Sequence, residues 1–173
     1  MTLSVAKNKA DEIVGLLTPF CIPGHCMVVG SVRRCVPEPR DIEVVACPDL
    51  ANQNHFDYTV NLLKSGRIGV VQKGMFPARY TQLMGTICNV DIFWCDKRTY
   101  GLNLFIRTGS AQFAKDALVH WKKITNGGYS EGAILHLADG TPVPTPTEQV
   151  VFEALKCKWV PPEKRNRPMR EDS

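Results

Sequence analysis

Two carboxylates stand two positions apart in a segment whose other residues are typical of a buried β-strand. In "DIEVVA", the acids Asp41 and Glu43 alternate with Ile42 and Val44. Because successive side chains of a strand point to opposite faces, the two acids share one face and the two aliphatic residues share the other. Neighbouring carboxylates repel each other unless a cation lies between them. The segment therefore predicts a strand that buries one face and carries paired acids, the chemistry of a cation site, on the other.

A third acid lies in a second apolar segment. Asp91 stands in "NVDIFW", where a charge needs a partner. Three carboxylates on adjacent strands can hold two Mg²⁺ ions about 3.5–4 Å apart, the arrangement used for phosphoryl transfer. The spacing alone also allows a simpler interpretation, in which Asp41 and Glu43 lie on a solvated strand edge and Asp91 is an edge charge or pairs with an arginine.

The segment "GSVRR" precedes the paired acids and has the composition of a phosphate-binding turn. Gly30 allows a phosphate to approach the backbone closely, and Ser31 adds a hydroxyl donor. Arg33 and Arg34 carry guanidinium groups whose geometry matches phosphate oxygens. Arginines that follow a turn are also commonly solvated, so this turn becomes informative through its position beside the acids.

The composition is that of an ordinary globular protein. The chain has 173 residues, enough for one large domain or two small ones, and its net charge of +4 permits an anionic partner. The N-terminus has no long apolar run, so we expect neither a signal peptide nor a membrane span, and we expect the seven cysteines to be reduced thiols in the cytoplasm. Cys21, His25 and Cys26 suggest a zinc site, but no second ligand pair follows, and a turn or core position is the favoured interpretation.

The pattern of apolar residues predicts an α+β fold. Residues 5–17 have a helical pattern, and short strands and a second helix follow up to residue 66. The next segments predict three or four strands: "RIGVVQK", "ARYTQLMG", "ICNVDIFW" and "GLNLFI". Their connections are too short for helical crossovers, which favours an antiparallel or mixed sheet. Residues 110–128 predict a helix, Asp139-Gly140 predicts a hairpin turn, and residues 147–157 predict a last short helix.

The order of these motifs resembles that of the DNA polymerase X family within the nucleotidyltransferase superfamily. "GSVRR", "DIE" and "VDIF" follow one another at spacings similar to those of the family's Gly-Ser turn, acid pair and third acid. "RTGS" is similar to the family's Thr-Gly-Ser at the start of the thumb, and "TEQVVFEAL" with "WVPPEKR" resembles its C-terminal end. The resemblance spans roughly residues 26–165. It implies a nucleotidyltransferase palm over residues 1–106, with helices flanking a mixed or antiparallel sheet, and a small α+β thumb over residues 107–173, as in the minimal viral members.

The resemblance also implies a role for each motif. Asp41 and Glu43 would bind both of two Mg²⁺ ions, which Mn²⁺ can replace, and Asp91 would bind the catalytic ion near the primer 3′-hydroxyl. The residues expected to bind the incoming deoxynucleotide triphosphate are Gly30, Ser31, Arg33, Arg34, Arg107, Thr108 and Gly109. Basic residues on the thumb helix, and on a tail that extends to Arg170, are expected to contact DNA phosphates. These residues are Lys115, Lys122, Lys164, Arg165 and Arg167.

The sequence departs from the family pattern at several places. Glu43 stands where the family usually has aspartate, which keeps the charge and lengthens the side chain. Ile106 and Arg107 replace an aromatic pair that lies beneath the nucleotide sugar in larger members, and Asn89 replaces an arginine that holds the primer phosphate. The first 25 residues leave no room for the lyase domain of larger members, so we expect lyase activity to be absent.

These features together predict Mg²⁺-dependent addition of deoxynucleotides to a DNA 3′ end, in gap filling during DNA repair. The expected partners are gapped or primer–template DNA and a deoxynucleotide triphosphate. We expect a monomer without membrane contact in the cytoplasm, which for a viral protein means the host cytoplasm or nucleoid. Two alternatives stay open: a template-independent nucleotidyltransferase that acts on RNA, a protein or a small molecule, and a non-catalytic nucleic-acid binder.

Overall fold

The structure is a computed structural model that describes residues 1–169, except for the side chain of Gln53. The chain divides into two compact units, Met1–Asp96 and Lys97–Ser173. The domain boundary expected at residue 106 falls inside the second unit, within its first helix. Arg170, at the end of the basic tail, lies outside the described residues.

The first unit is a five-stranded sheet with helices. Its elements are α1 (Leu3–Leu17), β1 (Cys21–Val29), α2 (Gly30–Arg33), β2 (Ile42–Pro48), α3 (Gln53–Lys64), β3 (Val70–Lys73), β4 (Tyr80–Met84) and β5 (Asn89–Trp94). The strand order is β1-β2-β5-β4-β3, in which β2 and β5 are parallel and the other neighbours are antiparallel. This arrangement confirms the expected α+β fold with a mixed sheet.

Helix α1 contributes an apolar stripe to the core of this unit. Ala6, Ile13 and Leu17 lie at helical spacing and are almost completely buried, in a core that also contains Ile42 and Val44 of β2. Complete burial of a leucine, isoleucine or valine side chain contributes about 1.5–3 kcal/mol. Because these two β2 residues face the core, the acids that alternate with them are turned to the opposite face, where they are half-buried.

The second unit combines three helices with a small antiparallel sheet. Its elements are α4 (Tyr100–Thr108), α5 (Ala111–Ile124), β6 (Tyr129–Glu131), β7 (Ile134–His136), β8 (Pro142–Val143) and α6 (Glu148–Ala154). The strand order is β6-β7-β8, and the expected turn at Asp139-Gly140 joins β7 to β8. Asp139 Oδ1 accepts a hydrogen bond of 2.9 Å from the Thr141 backbone N–H, and Gly140 has a positive φ of 86°, as such a turn requires.

The segment "GLNLFI" forms helix α4, and its prediction as a strand was wrong. The apolar residues Leu102 and Leu104 fit the alternation of a strand, but both are buried together with Phe105 because α4 is enclosed on more than one side. Gly101 allows this enclosure, since a Cβ at that position would lie 2.1 Å from the Thr147 carbonyl oxygen. The backbone before α6 therefore packs directly on α4.

Arg165 requires a second correction, because it is not available to DNA. Its side chain is 0% exposed and donates hydrogen bonds to Glu148 Oε1 at 2.5 Å and to the Val160 carbonyl oxygen at 2.7 Å. The aromatic rings around its guanidinium, with centroids 4.9–5.9 Å away, belong to Phe105, Phe113, Phe152 and Trp159. Arg165 is therefore a core residue of the second unit.

The buried ion pair predicts a large loss of stability when one partner is changed. Glu148→Gln is expected to lower the free energy of unfolding by about 3–5 kcal/mol, because it leaves the Arg165 guanidinium as an uncompensated buried charge. The measurement is equilibrium urea denaturation followed by circular dichroism. In the double variant Glu148→Leu/Arg165→Met, much of this loss should be recovered, since both charges are removed.

The exposed pair Lys9–Glu12 provides the matched control, with Nζ and Oε2 2.8 Å apart. Glu12→Gln should change the free energy of unfolding by less than about 1 kcal/mol, because solvent-exposed ion pairs contribute little. Similar small effects of Glu148→Gln and Glu12→Gln would contradict the core role of Arg165.

Candidate functional site

The three acids of the sequence motifs lie on neighbouring strands of the first unit. Glu43 on β2 and Asp91 on β5 are partners in the parallel register, and Asp41 directly precedes β2. Neighbouring strands are about 4.8 Å apart, and residues two positions apart share a face. The backbone therefore brings all three acids to one side of the sheet.

Asp41 is half-buried near Asp91, and its surroundings raise its pKa. Burial is the largest cause, and the negative charge of Asp91 adds to it, whereas the nearby Arg34 and Arg40 lower the pKa. The ionised form of Asp41 is therefore unfavourable in the folded chain. A cation bound between the two carboxylates would remove this cost.

Two side chains of β4, which the sequence analysis did not identify, hold Asp91. Tyr80 Oη donates a hydrogen bond of 2.7 Å to Asp91 Oδ1, and Gln82 Nε2 donates one of 3.1 Å to the same oxygen. Gln82 is the register partner of Asp91 in the antiparallel pair β4–β5. The alternation in "YTQ" places Tyr80 and Gln82 on one face, but the sequence gives no sign that this face adjoins the acid.

The Glu43 carboxylate lies against the backbone of Gly30. A Cβ added to Gly30 would lie 1.8 Å from Glu43 Oε2, and Gly30 has a positive φ of 64°. Only glycine therefore fits at the start of α2 while Glu43 keeps this position. Arg34 lies near Glu43 and Asp41; burial lowers the pKa of its guanidinium, and the charges of the two acids oppose that effect.

The arrangement of these carboxylates fits a divalent cation in part. Among residues 1–169, no three His, Cys, Asp or Glu side chains form a group that could hold a metal ion. Glu43 lies against Gly30, whereas Asp41 and Asp91 interact with each other. Mg²⁺ is usually bound by one or two carboxylates together with substrate phosphates, so this pair of donors fits a cation whose other ligands come from substrate and water.

The "GSVRR" segment contains a buried hydroxyl that lacks a partner. Its first four residues form the single-turn helix α2 directly after β1, where a turn was expected. Ser31 Oγ is buried and makes no hydrogen bond with any residue that the structure describes. An unsatisfied buried hydroxyl costs about 1–3 kcal/mol, so Ser31 favours a ligand that accepts a hydrogen bond. Arg33 and Arg34 are both partly exposed nearby in the chain.

The "RTGS" segment has mainly a packing role in the second unit. Thr108 is completely buried, so a direct contact from its side chain to a nucleotide is not supported. A Cβ on Gly109 would lie 2.7 Å from Phe113 Cδ1, and Ser110 Oγ caps α5 by accepting a hydrogen bond of 3.2 Å from the Phe113 backbone N–H. Arg107 is exposed at the end of α4, and its contact with a nucleotide stays a prediction.

The basic residues expected to contact DNA differ in exposure. Arg165 is buried, as described above, whereas four others have exposed side chains: Lys115, Lys122, Lys164 and Arg167. Two of these lie on α5 and two follow α6. Their exposure allows contact with phosphates, which stays a prediction.

Residues 103–166 match the family model of the DNA polymerase beta thumb. The match covers most of the second unit and supports a family X polymerase-like relationship. No curated protein matches the chain. In the part of the chain that the structure describes, no helix is both long enough and apolar enough to cross a membrane.

The contact between Gly30 and Glu43 predicts that these positions are coupled. Gly30→Ala should lower the free energy of unfolding by more than the roughly 1–2 kcal/mol that a left-handed residue costs, because its Cβ meets a carboxylate. Gly24→Ala is the matched control, since Gly24 has a φ of +76° and nothing within 4 Å of the added Cβ. Urea denaturation measures both.

The double variant Gly30→Ala/Glu43→Ala isolates the steric contact. Removal of the carboxylate should reduce the loss of unfolding free energy caused by Gly30→Ala by about 0.5–3 kcal/mol, the range of coupling for residues in direct contact. Additive effects of the two substitutions would show that Glu43 does not occupy the space beside Gly30.

Proposed function

We propose that the protein is a Mg²⁺-dependent DNA polymerase that adds deoxynucleotides to a DNA 3′ end and fills short gaps during repair. The observation that carries the proposal is the pair Asp41 and Asp91, held together against their mutual repulsion with Glu43 as the register partner of Asp91. A carboxylate whose pKa is raised by burial and by a neighbouring charge, as that of Asp41 is, is typical of functional sites. The polymerase thumb match in the second unit supports DNA as the substrate.

The acids of the first unit would bind the metal. Asp41 and Asp91 would hold Mg²⁺, or Mn²⁺ in its place, and Glu43 would supply a further carboxylate for the second ion. Bound Mg²⁺ lowers the pKa of a hydroxyl nucleophile and neutralises charge on the reacting phosphates. Tyr80 and Gln82 hold Asp91 Oδ1, so this carboxylate keeps its orientation while the charge at the site changes.

The "GSVRR" segment would bind the triphosphate. Ser31 offers a buried hydroxyl donor, and Arg33 and Arg34 offer guanidinium groups that pair with phosphate oxygens. In the reaction, the primer 3′-oxygen forms a bond to the α-phosphorus and loses its proton to water, while the bond to the departing pyrophosphate breaks. Arg34, which interacts with Asp41 and Glu43 in this structure, would stabilise the negative charge on the phosphates.

The second unit would bind the DNA. The exposed residues Lys115, Lys122, Lys164 and Arg167 would contact phosphates. In this proposal the protein acts as a monomer in the cytoplasm, or in the host cytoplasm or nucleoid if it is viral.

Substitution of either paired acid is expected to abolish nucleotide addition without loss of stability. Asp41→Asn and Asp91→Asn each remove a ligand. The assay is extension of a labelled primer on DNA with a one-nucleotide gap, with Mg²⁺ and each deoxynucleotide supplied singly. Asp57→Asn, which changes an exposed acid on α3, is the control and should extend normally. Near-normal extension by Asp41→Asn or Asp91→Asn would refute the site.

Stability provides an independent measurement for Asp41. Because its pKa in the folded chain is raised above the ordinary value of 3.8, the ionised acid destabilises the fold, and this cost grows as pH rises through the raised pKa. Asp41→Asn should therefore increase the free energy of unfolding at neutral pH, and the difference from wild type should shrink as pH falls below 3.8. A variant less stable than wild type at neutral pH would indicate a structural role for this acid.

A non-catalytic nucleic-acid binder is the second candidate, because Glu43 lies against Gly30 and the three carboxylates do not form one ligand set. Calorimetric titration of a deoxynucleotide triphosphate with and without Mg²⁺ separates the two functions. A polymerase should bind the nucleotide in a Mg²⁺-dependent manner that Asp41→Asn abolishes. Nucleotide binding that is the same with and without Mg²⁺, together with the absence of primer extension, would favour the non-catalytic nucleic-acid binder. Addition to RNA or to a blunt hairpin without a template would instead favour a template-independent enzyme.

A further inference from the structure

A groove of about 880 Å³ lies within the second unit, around the segment that follows α6. Its volume is within the range of pockets that hold small organic ligands, about 300–1,000 Å³. The residues that line it include one indole and four charged side chains: Trp159, Lys158, Glu163, Lys164 and Arg167. These side chains belong to none of the sequence motifs assigned to catalysis or to nucleotide binding.

Trp159 is a fixed aromatic surface in this groove. One side of its ring packs on the Arg165 guanidinium, which lies 4.9 Å from the ring centroid, and on Phe152, whose ring centroid is 5.0 Å away. Arg165 is itself immobilised by Glu148, so the indole has a rigid support. Trp159 is nevertheless 43% exposed, which leaves part of the ring open to the groove.

Three cations line the same groove as this exposed indole. Lys158, Lys164 and Arg167 line the groove, and their side chains are exposed. None of them forms an ion pair with any of residues 1–169. Glu163 is the acid among the lining residues, so the groove carries a net positive charge. Pro161 and Pro168 restrict the backbone that presents these cations, which reduces the entropy lost when a ligand binds.

We infer that this groove binds one unpaired nucleotide of a DNA strand, with the base stacked on Trp159 and the flanking phosphates beside Lys158, Lys164 and Arg167. An aromatic face offers stacking to any base, and cations beside it bind the backbone; this combination is used for single-stranded nucleic acids. A duplex exposes no base face to Trp159, and an apolar peptide would leave three cations without partners. The inference rests on the proposed DNA contacts of Lys164 and Arg167 and deepens them, because it names an unpaired base stacked on Trp159 as what the groove holds. Binding in the groove requires neither metal nor catalysis.

The test measures binding of a fluorescein-labelled ten-nucleotide oligodeoxythymidine by anisotropy, with a blunt duplex of the same length in parallel. EDTA is present throughout, so the acids of the first unit do not contribute through a metal. Trp159→Leu should weaken binding of the single strand by roughly 5- to 150-fold, the range for loss of one stacked base, and should change duplex binding less than twofold. Trp159→Phe should restore most of the affinity because it keeps an aromatic face.

The cations have a separate readout. Lys164→Gln/Arg167→Gln should reduce the slope of log affinity against log salt concentration for the single strand by about 1.4, because each lost phosphate contact contributes about 0.7. Lys7→Gln/Arg67→Gln removes the same charge from exposed positions of the first unit and should leave this slope unchanged. Urea denaturation confirms that each variant is folded, and the conservative Trp159→Phe and the two-cation variant keep the test informative if Trp159→Leu does not fold.

Three results would overturn the inference. The first is single-strand affinity that stays within twofold of wild type in both Trp159→Leu and the two-cation variant. The second is an equal loss of single-strand and duplex binding, which would indicate a general phosphate surface. The third is displacement of the oligonucleotide by free deoxythymidine triphosphate with equal affinity, which would make the groove a site for free nucleotides. Because this assay contains EDTA and no nucleotide triphosphate, its outcome does not depend on the proposed metal site, so a failure of the polymerase proposal leaves this result unaffected.

Discussion

The parallel register between β2 and β5 places Glu43 beside Asp91, and the candidate site depends on this pairing. Side chains of a strand alternate with a period of two, so a slip of one residue would turn Asp91 toward the face that buries Ile42 and Val44. The same strand β5 pairs on its other side with β4, whose polar residues hold Asp91. One strand position is therefore fixed from both sides, by a carboxylate partner and by hydrogen-bond donors.

The charges of this site are arranged at a cost to the folded chain. Asp41 is half-buried near a like charge, and Ser31 Oγ is buried without a described partner. Both features are unfavourable in the isolated protein, and both would become favourable with a cation and a phosphate in place. Arg34 offsets part of the negative charge while the ligand is absent, because it lies near Asp41 and Glu43. Buried polar and charged groups whose interactions are incomplete in this way are typical of sites that bind a substrate.

Local patterns made part of this structure predictable. The alternation in "DIEVVA" is a property of neighbouring residues, so the strand, its buried face and its acid face could be derived from the sequence. The tertiary contacts of individual side chains could not be derived in this way. In the sequence, Arg165 has the same appearance as the other cations of the basic tail. Only the fold shows that Glu148, 17 residues earlier, pairs with it among buried aromatic rings. Similarly, Tyr80 and Gln82 gain their role from a strand pairing that no local pattern encodes, and the enclosure of α4 on several sides hid its helical period.

The enclosure of Arg165 also determines how far the second unit can be shortened. A polypeptide that ended before Arg165 would keep Glu148 as a buried carboxylate without its counter-ion and would leave a guanidinium-sized void among Phe105, Phe113 and Phe152. The residues after α6 therefore complete the core of the second unit. For protein production, any shortened version of this chain must extend past Arg165, and a protease site or affinity tag belongs beyond that residue.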